Sequence, residues 1–109
     1  MITRAVRGAT CLRADDKSEM TDAVVALLKT IFDENAITED DLVSILFTST
    51  SDLRSEFPAT AARKLGLSDT PLICAKELEI EGSLPRTVRV LIHFQTNLSK
   101  SKIKHIYQR

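Results

Sequence analysis

Two arginines occupy positions where a charge is costly. Arg7 stands midway along ITRAVRGATC among small residues, and Arg89 stands between Val88 and Val90 in TVRVLIHFQT, the most apolar segment of the chain. A charge is seldom left uncompensated in such surroundings. Exposure on a sheet face or pairing with an internal carboxylate would satisfy it. So would convergence on an anion: guanidinium forks stay charged and grip carboxylates bidentately, so two or three together suit a dicarboxylate ligand. Glu77, in the mostly apolar stretch PLICAKELEI, reads as an exposed strand carboxylate, an arginine's partner or an acceptor for a ligand hydroxyl. Cys74 lies deeper in that stretch and reads as a packed thiol, a small hydrophobe. Strict alternation puts Cys74 and Glu77 on opposite faces, so a pocket shared by both requires a bulge or bend.

Other chemistries find little footing. His93 and His105 are the only histidines, there is no HExxH, CxxC or GxSxG, and carboxylates do not cluster, so neither a metal site nor a nucleophilic elbow is expected. Gly8, Gly66 and Gly82 lie too far apart for a phosphate-cradling loop. Fifteen Lys plus Arg balance fifteen Asp plus Glu, with one Tyr, four Phe and no Trp. Nucleic acid, which calls for a basic excess and stacking aromatics, is therefore not an expected partner. The longest apolar run, Ala23 to Leu28, has six residues, where a membrane span needs roughly 20. MITRAVRG carries charge and no apolar run follows it, so a cytoplasmic protein with free Cys11 and Cys74 thiols is expected.

The 109 residues fit one domain, and the pattern says what positions these side chains. Residues 2 to 11 alternate as a strand, with Ile2, Arg4, Val6 and Gly8 on one face and Ala5, Arg7 and Ala9 on the other. Asp16 three residues before Glu19 resembles a capping box, and Met20, Ala23, Val24, Leu27, Leu28 and Ile31 then recur at helical spacing, predicting a helix over 18–35. Thr38 opens a short acidic turn. VSILFTST at 43–50 reads as a nearly continuous apolar strand buried on both faces. Pro58 opens and Gly66 closes a short helix at 59–65. Strands are expected at 71–80 and 87–96, the latter turning Val88, Val90, Ile92 and Phe94 to the core and Arg89, Leu91, His93 and Gln95 away. The basic tail ends in an edge strand near His105 to Tyr107. The fold class expected is α+β: a mixed sheet packed by one long and one or two short helices.

The chain resembles the monofunctional AroH-type chorismate mutases along nearly its whole length. The resemblance rests on RAVRGAT at 4–10, TSTSDLRSEFPATAAR at 48–63, PLICAKEL at 71–78, GSLPRTVRVLIHFQT at 82–96 and KHIYQR at 104–109. It implies a homotrimer with sites in clefts between subunits, converting chorismate to prephenate without a cofactor. That reaction is a concerted [3,3] shift, so the absence of an evident nucleophile or proton shuttle is consistent with it.

By the same resemblance, Arg89 would donate to the ether oxygen and touch a carboxylate, and Arg7 would hold a carboxylate with Tyr107 nearby. Glu77 and Cys74 would meet the ring hydroxyl. Phe57, Ala59 and Ile73 would form an apolar wall, and Arg63 would attract the dianion at the entrance. Wall and arginine strand would come from different subunits, so that the arginines would need no partner within their own chain. Two departures stand out: Thr60 replaces a lysine common in the family, and the sequence ends at Arg109 where relatives usually carry a further arginine. Weaker substrate capture is expected from both. A RidA-like enamine or imine hydrolase, which shares a similar trimeric fold and holds a carboxylate with an arginine, is the rival activity; a non-catalytic trimeric small-molecule binder is the rival without chemistry.

Overall fold

The alternation over residues 2–11 is realised as β1 (Ile2–Cys11) in a computed structural model that describes residues 1–108. α1 (Lys17–Glu34) follows, then a 3-10 turn at Glu39–Asp41, β2 (Leu42–Ser49), α2 (Ala59–Lys64), β3 (Leu72–Lys76), β4 (Thr87–Thr96), a second 3-10 turn and β5 (Ile106–Gln108). The five strands form one mixed sheet in the order β3-β2-β4-β1-β5. β4 runs antiparallel to both β1 and β2, while the edge strands β3 and β5 lie parallel to their neighbours. The class is α+β, as the pattern implies.

α1 begins where Asp16, in extended conformation, accepts the Glu19 amide at 2.8 Å. The expected capping box is only half made. Glu19 reaches past Asp16 to the amides of Arg13 (2.6 Å) and Ala14 (3.3 Å), because the Asp16 amide is already bonded to the Ala14 carbonyl. The helix buries Met20, Val24, Leu27, Leu28 and Ile31 against β1 and the other inward strand residues. Each fully buried side chain of this kind is worth roughly 1.5–3 kcal/mol of transfer free energy before ordering costs.

Asn35 stops the helix and does a second job. Its side-chain amide donates to the carbonyls of Ile31 (2.9 Å) and Lys104 (3.0 Å), and its Oδ1 accepts the Lys104 amide at 2.8 Å. The end of α1 thereby anchors the segment that leads into β5. At the other end of the sheet, Asp52 accepts the Thr50 hydroxyl at 2.6 Å and the Arg86 amide at 3.0 Å, tying the loop after β2 to the entrance of β4.

Two expectations need correction. β2 is buried on one face only: Ile45 and Phe47 are enclosed, Val43 is exposed, and Ser44, Leu46 and Thr48 are half-buried. Its apolar run suggested two covered faces, but both helices lie on one side of the sheet, and an irregularity between Leu42 and Ser44 turns Val43 outward. β3 spans Leu72–Lys76 rather than 71–80. The Glu77 amide still bonds to the Ser49 carbonyl at 3.0 Å, but the Glu77 carboxylate folds back on the Leu78 amide at 3.2 Å and the chain leaves the sheet.

Candidate active site

The strand registers assemble one row of residues across all five strands. Ala75 pairs with Thr48, Thr48 with Arg89, Arg89 with Ala9, and Ala9 with Tyr107. Side chains at paired positions share a face, so all five project from the side of the sheet opposite α1. The matching row on the helix side is Cys74, Phe47, Val90, Gly8 and Ile106, which packs into or against the core. Ala9 is small and leaves the Arg89 guanidinium room between its two neighbouring strands. Arg7, two residues before Ala9, and Glu77, two beyond Ala75, lie on the same open side.

Arg7, Arg89 and Tyr107 line one cleft of about 590 Å³, with Thr48, Leu46 and Leu84 supplying part of its wall. Arg89 is more than half exposed, and its Nε lies 3.6 Å from Oε1 of Glu77. The expectation that the arginines need no partner within the chain therefore fails for Arg89. The Thr48 hydroxyl donates to the same Oε1 at 2.7 Å. That bond, the Leu78 amide and the Arg89 charge outweigh desolvation and hold the Glu77 carboxyl below its ordinary value of 4.5. Glu77 is thus an ionised acceptor at neutral pH and a poor proton donor.

Arg7 is exposed, and its backbone amide donates to Nδ1 of His105 at 3.0 Å, which assigns the ring proton to Nε2. This bond spans from β1 to the start of β5, whose Tyr107 is about 63% exposed with its ring over the open side. Asn35 and His105 together seat that short strand. The sequence places His105 by the expected edge strand but gives neither residue this seating role, because the partners are 69 and 98 residues away.

The remaining candidates lie elsewhere in the chain. Phe57, 66% exposed, and Cys74 share a second depression of about 390 Å³ formed by the loop after β2 and the edge of β3. Cys74 faces the helix side, opposite Glu77, as alternation requires, and Cys74 and Cys11 are both free thiols. Arg63 lines a third depression with Leu67 and Thr70. Ile73 is 64% exposed on edge strand β3, whereas Ala59 is buried in the core with 5% exposure. Next to Phe57, a hydrogen bond from the Phe57 amide, another from Thr60, and the Lys17 and Arg63 charges hold the Glu56 carboxyl low. Among the described residues no three His, Cys, Asp or Glu side chains gather as metal ligands, and no helix is long and apolar enough to cross a membrane.

The chain thus presents an arginine-lined cleft on the open side of an α+β sheet, with the Tyr107 phenol in its lining, and the buttressed Glu77 carboxylate lines an adjoining depression that shares Arg89, Thr87 and Leu84 with it. Comparison with known proteins gives this arrangement its class. The sequence profile of the family described as chorismate mutase type I matches residues 3–109, and the chain belongs to that family of isomerases. It is 37% identical to the chorismate mutase AroH of Thermus thermophilus, over 99% of this chain and 89% of that protein. It is 35% identical to the chorismate mutase AroH of Bacillus subtilis (strain 168), over 98% of this chain and 85% of that protein. A solved structure of a chorismate mutase from Clostridium thermocellum superposes with a TM-score of 0.94 at 41% identity, covering 95% of this chain and 93% of that one.

Proposed function

We propose that this protein isomerises chorismate to prephenate in the cytoplasm, as a homotrimer whose three sites each join the open sheet face of one subunit to the Phe57 and Arg63 region of the next. The observation that carries the reading is the single row holding Arg89 between Thr48 and Ala9, with Arg7, Glu77 and Tyr107 on the same side. In the rearrangement the ether C–O bond breaks as a C–C bond forms, and no proton moves. The protein's tasks are to hold a flexible dianion in its compact conformer and to stabilise the negative charge that grows on the ether oxygen.

Arg89 meets the second task as a preorganised cation in a largely apolar cleft. Arg7 and Tyr107 hold a carboxylate, and Glu77, kept ionised, accepts from the ring hydroxyl. Phe57 and Ile73, both well exposed in the single chain, offer the apolar wall that a neighbouring subunit would receive, with Ala59 supporting it from the core and Cys74 beside it. Arg63 supplies positive charge at the mouth. No cofactor is called for by this chemistry.

The test is direct: incubate the purified protein with chorismate and follow its loss together with prephenate formation, and separately supply an imino acid. Turnover of chorismate without a solvent isotope effect is expected. Hydrolysis of the imino acid without loss of chorismate would overturn the reading in favour of the hydrolase.

A further inference from the structure

We propose that Thr48 is a positioning residue for the Glu77 and Arg89 pair, its hydroxyl keeping the carboxylate turned so that the guanidinium stays available to the cleft. The inference rests on the chorismate mutase reading above. Three donors address Glu77: the Thr48 hydroxyl at 2.7 Å, the Leu78 amide at 3.2 Å and Arg89 Nε at 3.6 Å. The shortest is the hydroxyl. A charge-assisted N–H bond to a carboxylate normally closes to about 2.7–2.9 Å, so the contact to Arg89 is a loose one and does not orient the carboxylate.

Glu77 has no strand of its own to orient it, since it stands just past the end of β3. Thr48 does: it is the direct cross-strand partner of Arg89 on one side and of Ala75 on the other. Its single donor proton is spent on Oε1, which is also the oxygen nearest Arg89. Without that donor the carboxylate is free to close on the guanidinium as a bidentate fork. Both partners then lose what the site needs, Arg89 its free N–H groups and Glu77 its free lone pairs.

Thr48→Val keeps the shape and removes the donor, while Thr48→Ser keeps the donor. The expected result is a fall in kcat/KM of about tenfold or more for Thr48→Val, borne mainly by kcat, with most activity retained by Thr48→Ser. The Glu77 carboxyl carbon resonance should move in Thr48→Val, where the carboxylate changes hydrogen-bond partner, and stay near wild type in Thr48→Ser. Thermal stability and oligomer mass, measured on both variants, guard against a folding effect. A Thr48→Val protein with wild-type kcat/KM, or equal losses in both variants, would overturn the proposal. If the wild-type protein fails to turn over chorismate, the functional reading falls, and an unmoved Glu77 carboxyl resonance in Thr48→Val would independently sink the role of the hydroxyl.

Discussion

The two faces of one sheet divide the labour of this molecule residue by residue. Along β4, Val88, Val90, Ile92 and Phe94 are buried under the helices, while Arg89, Leu91 and His93, alternating with them, stand on the open side. The period of two that hides one set displays the other. The helix face is closed within the chain by α1, and its β4 side chains are nearly or wholly inaccessible, with Cys74 and Ile106 on the edge strands half-buried. The open face has no such cover. It carries half-buried small and polar residues and the arginine-lined cleft, whose wall includes the exposed Leu84, and Phe57, Ile73 and Leu78 are exposed elsewhere. Under the proposed function such a sheet has a stability face and a reaction face, and the two should respond to mutation differently.

The sharpest way to break that division is Arg89→Ala. If its charge acts on the ether oxygen only as the bond breaks, kcat should fall by roughly a hundredfold to a thousandfold, as for loss of one preorganised donor. Thermal stability should hardly change, because Arg89 is well exposed and its contact with Glu77 is long. Arg89→Lys should also be poor, since one ammonium cannot serve the ether oxygen and a carboxylate in a fixed fork. Steady-state kinetics with melting curves decide it, and wild-type kcat in Arg89→Ala would remove the reaction face from the account.

Arg7→Ala should be milder and fall chiefly on KM. A carboxylate losing a charged hydrogen bond forfeits about 1.5–3 kcal/mol, or roughly ten- to a hundredfold in binding. Because the Arg7 amide, not its side chain, bonds His105, the seating of β5 should survive the substitution. An equal loss in kcat would assign Arg7 to the reacting conformer as well as to capture.

A mixing experiment asks whether the open face is completed by another copy. Arg89→Ala and Phe57→Asp proteins, each inactive alone, should regain activity when unfolded together and refolded. In a closed ring where each site takes one face from each neighbour, random mixing leaves about one site in four intact. Sedimentation should give a trimer throughout. No recovery in verified mixed trimers would place the whole site within one subunit.

The pH dependence should follow from Glu77. Its carboxyl lies below 4.5, led by the Thr48 hydroxyl bond, so it is ionised at neutral pH and stays so well into the acid range. Because the folded value is depressed, its stabilising contribution is complete above the unfolded carboxylate value and is lost as pH falls through the folded one. Activity should therefore be level from neutral down to about pH 4.5 and fall on a single acid limb, without the bell shape of acid–base chemistry. A second limb near neutrality in the wild type would argue for proton transfer.

Legibility in the sequence followed the same division. The helix face was readable because its signals are periodic and local: the α1 stripe, the alternation of β1 and β4, and the Pro58 to Gly66 limits of the short helix. The open face was readable only as an anomaly, two arginines in apolar strands, until the family resemblance supplied roles. What escaped was set by side chains reaching far along the chain. Thr48 and Glu77 are 29 residues apart, and their bond accompanies the early end of β3. Asn35 holds Lys104, and no local pattern announces it. The β2 run reads as fully buried because Leu46 continues its apolar neighbours, whereas the polar Ser44 and Thr48 that share its face mark that side as open.

The smallest expected effect crosses between the two faces at Gly8. A Cβ built there would lie 2.7 Å from Cδ1 of Ile31, 3.2 Å from Cδ1 of Leu27 and 3.0 Å from the backbone oxygen of Ile106. The two methyls can rotate away, but the carbonyl belongs to β5, paired with Gly8 itself. Overpacking of this kind costs about 1–3 kcal/mol, offset in part by about 0.4–1 kcal/mol because alanine restricts the unfolded chain. Gly8→Ala should thus lower the melting temperature by several degrees, at roughly 4–8 °C per kcal/mol for a domain near this size. β5 has three residues and yields before β1, so the strain should pass to Tyr107, one residue beyond Ile106, and raise KM a few-fold while leaving kcat near wild type. Melting curves and kinetics on the same preparation test both halves. A lowered melting temperature with unchanged KM would mean that the helix absorbs the methyl and that β5 is seated by Asn35 and His105 alone.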